Sequence, residues 1–213
     1  AGADDSCGDR AGSWSGGATT VGAGAQVQGR AGDIWQHETP ARFDEFNFTA
    51  AELLALKAVA RVHGTYYQGA VTFDTVHRIP HGLIFVDTVS GRPITDATPE
   101  SDLARVTVGD GAPLDPGGSF RGWVIVNGSL SLTGNITLRG LAYAADRFSQ
   151  TGAARLLGAA MAGHARTSIP SLVDARPTAG PALTWSCETG RTGGGTIPQR
   201  WLVKPGSYRE TAG

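Results

Sequence analysis

The stretch "GWVIVNGSLSLTGNITLRGLAYAADRFSQTGAARLLGAAMAGH", residues 122–164, counts by 18. Gly122, Gly140 and Gly158 each open an apolar run, and Thr133-Gly134 returns as Thr151-Gly152 at the same interval. Upstream, Gly64 and Gly82 are again 18 apart, while Gly82 and Gly122 are 40 apart. In this register Tyr66, Ile84, Val124, Ala142 and Ala160 form one column. Tyr67, Phe85, Ile125, Tyr143 and Met161 form the next, followed by Gln68, Val86, Val126, Ala144 and Ala162. A small or polar column closes the set: Gly69, Asp87, Asn127, Ala145 and Gly163. A fixed short period of this kind is the mark of a solenoid, in which no coil buries its own apolar face and each must stack on a neighbour. The expected fold is mainly β: a parallel β-solenoid of about 18 residues per coil, its neighbouring coils paired as parallel strands. An antiparallel sandwich with chance glycine spacing is the competing architecture.

Adjacent columns are apolar on both parities, so the strands need cover on both faces. The candidate cover is "FTAAELLALKAVARVHG". Thr49 and Glu52 have the spacing of a capping box, and Gly64 supplies a stop. Leu53, Leu56, Val59 and Ala60 recur at helical spacing. An amphipathic helix over 49–63 is therefore expected to cover or cap the coils. The chain divides, within one domain, into an N-terminal segment with short strands (1–45), the helix, β-coils over 64–91 and 122–165, and a closing segment (166–213). Between the coils, "RPITDATPESDLARVTVGDGAPLDPGGSF" is rich in Pro, Gly and Asp and reads as an inserted loop at 92–120.

Composition narrows the classes. The 213 residues suffice for one substantial core. Glycine, at 31 residues, is about twice its usual share, which favours turns over helix. Net charge is −1 with no run of Lys and Arg, so a nucleic-acid partner is not expected. No apolar run reaches 18 residues, so no membrane-spanning helix is expected within these residues. The opening "AGADDSCGDRAGSW" reads as a processed or truncated start from which an anchor or signal has been removed. Cys7 and Cys187 sit near opposite ends in polar, Gly-rich surroundings and are expected to pair as a disulfide. Closing so long a loop is worth about 4–5 kcal/mol in the chain-entropy account. Two cysteines with no histidine nearby cannot close a zinc site, and Asp4, Asp5 and Asp9 read as an acidic terminus rather than a calcium site. No metal or cofactor is expected.

The chemistry-bearing residues are scattered. Of the histidines His37, His63, His77, His81 and His164, the pair His77 and His81 flanks "RIP" at the end of one coil and reads as exposed loop residues. Polysaccharide-cleaving β-helices need clustered carboxylates along one face. The relevant column here holds Asp87, Asn127 and Ala145, which is no stack of acids. Asp74, Asp87 and Asp146 are the least unsuitable acids, and the insert adds Asp96, Asp102, Asp110 and Asp115. Asn127 reads as a turn residue bonded to its neighbours. No nucleophile elbow, phosphate loop or zinc-protease motif occurs, so no catalytic residue is assigned. Asn47, Asn127 and Asn135 lie in Asn-x-Ser/Thr triplets, the last two inside proposed strands. Trp123 fits a strand; Trp14, Trp35, Trp185 and Trp201 lie in loop-like stretches.

The runs "FTAAELLALKAVARVHGTYYQG", "IPHGLIFVDTVSG", "GWVIVNGSLSLTGNITLRGLAYAAD" and "GGGTIPQRWLVKPGSYRE" together resemble the soluble C-terminal region of PilX-type pilin-like proteins, over about residues 46–210. Those proteins are associated with type IV pilus assembly. The resemblance implies a non-enzymatic envelope protein, exported to the periplasm or cell surface, whose partners are other pilus or envelope proteins. It also implies a membrane anchor, an apolar N-terminal helix that these residues do not contain. Two alternatives stand beside it: a β-helical carbohydrate-active enzyme or carbohydrate-binding module, and a scaffold of solenoids joined end to end.

Overall fold

The computed structural model describes residues 13–15, 18, 20, 34–36, 48–63, 65–113, 118–163, 166, 172–177 and 183–197. The described chain is mainly β, with two parallel sheets and one long helix. Two short strands, β1 (Ser13–Trp14) and β2 (Ile34–Trp35), pair with each other in parallel. Helix α1 (Ala50–His63) follows, then β3 (Tyr66–Gln68), β4 (Ala70–Phe73), β5 (Gly82–Asp87), β6 (Ala104–Val108), β7 (Ser119–Val126) and β8 (Gly128–Leu132). The chain continues through β9 (Thr137–Ala144), β10 (Arg147–Gly152), β11 (Arg155–Ala162), β12 (Leu172–Pro177), β13 (Leu183–Trp185) and a short helix α2 (Cys187–Thr192). From β3 onward successive strands alternate between the sheets. The first sheet runs β13-β11-β9-β7-β5-β3 and the second runs β12-β10-β8-β6-β4, so every strand returns beside the one two before it.

The glycines that set the period face one another. Gly82 pairs with Gly122, Gly122 with Gly140, and Gly140 with Gly158. Ile84, Val124, Ala142 and Ala160 form the next-but-one rung column, as the sequence register requires. At Gly122, Gly140 and Gly158 φ lies at +152°, +143° and +137°, a region closed to most side chains. A Cβ built on any of the three would overlap the carbonyl oxygen of the glycine before it in the column. The repeat is therefore a backbone-contact requirement, and only glycine meets it.

Alternate residues of each strand point between the sheets or away from them. Between the sheets lie Ile84, Val124, Ala142 and Phe120 from the first, and Val106, Leu130, Leu132 and Phe148 from the second, in one continuous buried cluster. The opposite parity of the first sheet supplies a second cluster, Phe85, Ile125, Leu141 and Tyr143, closed from outside by Phe48, Leu53, Leu56 and Ala60 of the α1 region. Helix α1 thus lies on the outer face of this sheet. Its capping box is formed: Glu52 N–H donates to Thr49 Oγ1 at 3.2 Å, and Glu52 Oε2 accepts from Thr49 N–H at 2.8 Å and from its hydroxyl at 2.9 Å. Those bonds hold the Glu52 carboxyl below the usual carboxylate range, the Thr49 backbone N–H foremost.

Several expectations are corrected. Tyr66 pairs with Phe85 and Tyr67 with Val86, so the offset from β3 to β5 is one residue longer than 18. One residue of slip exchanges the faces of a strand. Tyr66 accordingly lies outside with Phe85 and under α1, whereas Tyr67 packs in the inner cluster. The insert is not all loop, because its "ARVTV" is β6, with Ala104, Val106 and Val108 buried. The extra residues lie on either side of it, in the β5–β6 and β6–β7 connections. The sheets also extend beyond residue 165: β12 pairs with β10, and β13 with β11, without the 18-residue spacing that would have marked them. Trp14, Trp35 and Trp185 are on short strands. Asn127 and Asn135 lie in the turns that follow β7 and β8 rather than in strands. Gly64, Asn47, His37, His164, Trp201, the opening acids and the "RWLVKPGSYRE" stretch fall outside the described residues.

The glycine column gives a graded test. Gly140→Ala should cost about 3–6 kcal/mol by adding backbone strain to an overlap with Gly122. Gly82→Ala, at φ +105° but with nothing within 4 Å of the new Cβ, should cost only about 1–3 kcal/mol. Denaturant melts of the two variants measure the difference; equal costs would remove the carbonyl overlap as the reason for the glycine.

Candidate functional site

The first sheet turns into the second through a corner that carries the densest polar cluster among the described residues. Asp87 ends β5, Asn127 separates β7 from β8, and Ala145-Asp146 separates β9 from β10. The Asp87 side chain is buried, 1% exposed, on the face that α1 covers. Its carboxylate collects four donors. Oδ1 accepts from Thr88 N–H at 2.9 Å and from Asn127 Nδ2 at 2.7 Å. Oδ2 accepts from the Tyr66 hydroxyl at 3.0 Å and lies 2.5 Å from Lys57 Nζ. The ammonium also donates to Gly91 O at 2.7 Å, tying the β5–β6 connection to the helix. Burial first, then the hydrogen bond and negative charge of Asp87, push the Tyr66 hydroxyl above its ordinary pKa.

Asp87 and Asn127 were legible as a polar column; Lys57 and Tyr66 were missed. The signal for Lys57 was present in the helix. It lies four residues after Leu53 and three before Ala60, inside the apolar face, where a lone cation needs a buried partner. Tyr66 was hidden by the register error described above.

A second cluster lies beside this corner. Arg166, 6% exposed, donates to Asp146 Oδ1 at 2.8 Å and to Glu100 Oε2 at 3.1 Å. Asp146 Oδ2 also accepts from the Ser129 hydroxyl at 3.0 Å. The bond to Asp146, ahead of that to Glu100, raises the guanidinium pKa further and keeps it charged. Arg166 was not singled out in the sequence, and its separation from Asp146 by a strand hid the pair.

The remaining sequence candidates do not converge. Asp74 sits in the turn after β4, where its Oδ1 caps the N–H groups of Val76 (2.7 Å) and His77 (2.9 Å); these bonds lower its pKa, that from His77 most. Asp102 accepts from Ser90 N–H and Oγ, and Asp110 from Asn135 N–H. Asp115 lies outside the described residues. His81 Nδ1 accepts from Arg121 N–H at 3.1 Å and its ring packs near Phe120; His63 and His77 are exposed. Among the described residues no three His, Cys, Asp or Glu side chains are grouped to hold a metal ion. Cys187 is buried at the start of α2; Cys7 lies outside the described residues. The helix it opens was read only as closing segment. It packs on β9 and β11, with Gly190 against Ala159 and the Trp123 indole donating to Gly190 O at 2.7 Å.

Beside the Asp87 corner, α1 and the β5–β6 connection enclose a cleft of about 100 Å³, walled by Leu53, Phe85, Pro93 and Ile94 with Asp87 and Asn127 at its polar end. Its polar end is already spent on internal bonds. A carboxylate with four protein donors cannot take a proton from a substrate without breaking the helix-to-sheet tie. No family model, no curated protein and no solved structure matches this chain.

Two outcomes follow from this chemistry. Asp87→Ala strands the Lys57 ammonium at a buried site and should cost about 3–5 kcal/mol in a denaturant melt. Burial holds the Tyr143 hydroxyl above its ordinary pKa. The unfolded tyrosine therefore ionises first as pH rises past about 10. Stability contributed by Tyr143 is whole below that value and is lost as pH climbs through the higher folded value. Melting temperature should fall as pH rises past about 10, and Tyr143→Phe should flatten that fall. An unchanged slope in Tyr143→Phe would dissociate this side chain from the alkaline transition.

Proposed function

We propose that the chain is a non-enzymatic structural and interaction module of the cell envelope, pilin-like and associated with type IV pili, built as a parallel β-solenoid. The two parallel sheets are, in this proposal, the walls of successive coils, and the in-register glycine column is what supports it. The module is exported to the periplasm or cell surface and meets other pilus or envelope proteins there. A Cys7–Cys187 disulfide would tie the start of the chain to α2, where buried Cys187 begins the helix packed on β9 and β11.

The observation that carries the non-enzymatic reading is the use made of the acids. Asp87 and Asp146, two of the three best candidates for general acid or base, are bound by Lys57, Tyr66, Asn127, Arg166 and Ser129. Asp74, Asp102 and Asp110 close turns. Each of these five carboxylates is accounted for by the needs of a corner or a connection.

A second reading has its own support. Val173, Leu183 and Trp185 are 44%, 40% and 47% exposed on β12 and β13, the last strands of the two sheets. Apolar side chains on a terminal strand favour addition of a further strand. That is the contact an end-to-end scaffold needs.

Immunogold labelling of intact cells, with an antibody raised to this chain, tests the first reading. Label on the surface or on pili is expected; label confined to the cytoplasm overturns it, as does hydrolysis or eliminative cleavage of a polysaccharide by the purified protein. The disulfide should appear as a mobility shift between reduced and non-reduced samples that Cys7→Ser abolishes. Size-exclusion chromatography over a range of concentrations decides the scaffold reading. Assemblies that grow with concentration and vanish in Leu183→Lys/Trp185→Lys would replace a monomeric module with a polymer.

A further inference from the structure

The outward face of the second sheet carries a regular array that the reading above does not use. Strands β4, β6, β8 and β10 are paired in strict register. Their inward residues, among them Val106, Leu130 and Phe148, are buried, so Arg105, Ser129 and Arg147 form an outward column. Beside it runs a hydroxyl column, Thr72, Thr107, Ser131 and Ser149, which ends on Asp174 of β12. Both described helices pack on the first sheet.

Arg105 and Arg147 are exposed. Among the described residues neither guanidinium has an acidic partner: Asp146, which also accepts from the Ser129 hydroxyl, and Glu100 are paired with Arg166, and Asp174 with Arg176. The two arginines therefore present exposed positive charge two rungs apart, beside a run of short hydroxyls that ends on the Asp174–Arg176 pair of β12. Parallel rungs repeat every ~4.8 Å, so the charges repeat at ~10 Å along the stack. One rung is close to the advance of one sugar ring in an extended glycan, and two rungs to that of a disaccharide.

We propose that this face binds an acidic polysaccharide whose chain runs along the stack, across the strands, with one sugar per coil. Carboxylates on every second sugar meet Arg105 and Arg147, while the Thr and Ser hydroxyls exchange hydrogen bonds with ring hydroxyls. Arg–carboxylate pairing supplies orientation as well as attraction. A neutral glycan would leave both charges unused, and among the described residues the face has no aromatic platform for it. The phosphates of a single-stranded nucleic acid would demand aromatic stacking as well as charge. The proposal uses the same stacked sheets as the pilin-like reading but not its location or its partners.

Anisotropy titration of fluorescein-labelled hyaluronan decasaccharide, which carries a carboxylate on alternate sugars, tests it on the whole chain. Binding is expected to weaken with salt, and to weaken about five- to tenfold in Arg105→Gln/Arg147→Gln, since exposed pairs are individually modest. Arg139→Gln, exposed on the first sheet, should leave it unchanged. Thr107→Val/Ser131→Val keeps the strands and both charges and should weaken binding without restoring affinity for neutral sugar. Thermal melts establish that each variant is folded. No binding at millimolar glycan, an equal loss in Arg139→Gln, or equally tight binding of a length-matched dextran or oligo-dT would overturn the proposal. Because the readout is on purified protein, failure of the cell-surface localisation would leave it standing, and failure here would leave that localisation intact.

Discussion

The structure depends on how closely the backbone of one turn lies on the next at a single column. The carbonyls of Gly82, Gly122 and Gly140 occupy the space that a side chain on the next glycine of the column, Gly122, Gly140 or Gly158, would need. That contact fixes register, since a shift of one residue would put Trp123 or Leu141 over the carbonyl. Register in turn sorts the faces, because alternate residues of a strand belong to opposite sides. Ile84, Val124 and Ala142 go between the sheets as a consequence, and Phe85, Ile125 and Tyr143 go outside.

Sending aromatics outward creates the demand that the helices answer. Phe85 and Tyr143 are only 1% and 3% exposed because Phe48 and α1 cover them. The helix is held by its apolar face and, at its middle, by Lys57 reaching the Asp87 carboxylate. An ion pair so placed is a poor source of net stability, since both charges were well solvated before folding. It serves better as a position marker: one place along the sheet offers a buried carboxylate, so the helix seats in one register. Further along the same face, α2 can approach because the column it meets is glycine. Gly193 packs on Gly122, and Gly190 lies against Gly158 and Ala159.

The repeat was readable because backbone contact leaves a rigid signature in sequence. Gly122, Gly140 and Gly158 cannot drift, and the columns between them inherit their spacing. The capping box at Thr49–Glu52 was equally plain, being a local pattern with a local cause. What was hidden lacked such a constraint. The extra residue between Tyr66 and Phe85 falls at the first turn, where nothing lies within 4 Å above Gly82 to enforce the count. Strand β6 was masked by its Pro- and Gly-rich flanks, although "ARVTV" alternates as a half-buried strand should. Strands β12 and β13 come at irregular spacing, and α2 is six residues that include a glycine, too short for periodicity to show. Of the candidate site, Asp87 and Asn127 were visible as a polar break in apolar columns, whereas Lys57 and Arg166 reach their partners across folds of chain that no local pattern records.

The acids follow from the departures from the repeat. A one-residue corner such as Asn127 keeps its backbone in the ladder: Asn127 N–H bonds Val86 O, and Ala145 N–H bonds Val126 O. Where β5 leads instead into a long connection, N–H groups and a carbonyl leave that ladder and need other partners. Asp87 takes the N–H of Thr88, Asp102 takes that of Ser90, and Lys57 takes the carbonyl of Gly91. The same logic operates at the β6–β7 connection, where Asp110 takes Asn135 N–H and Arg78 takes the carbonyls of Gly111 and Pro113. Charged side chains thus concentrate where the period is broken. The second sheet has nearly uninterrupted rungs from β4 to β10, and among the described residues Arg105 and Arg147 on its outer face have no acidic partner.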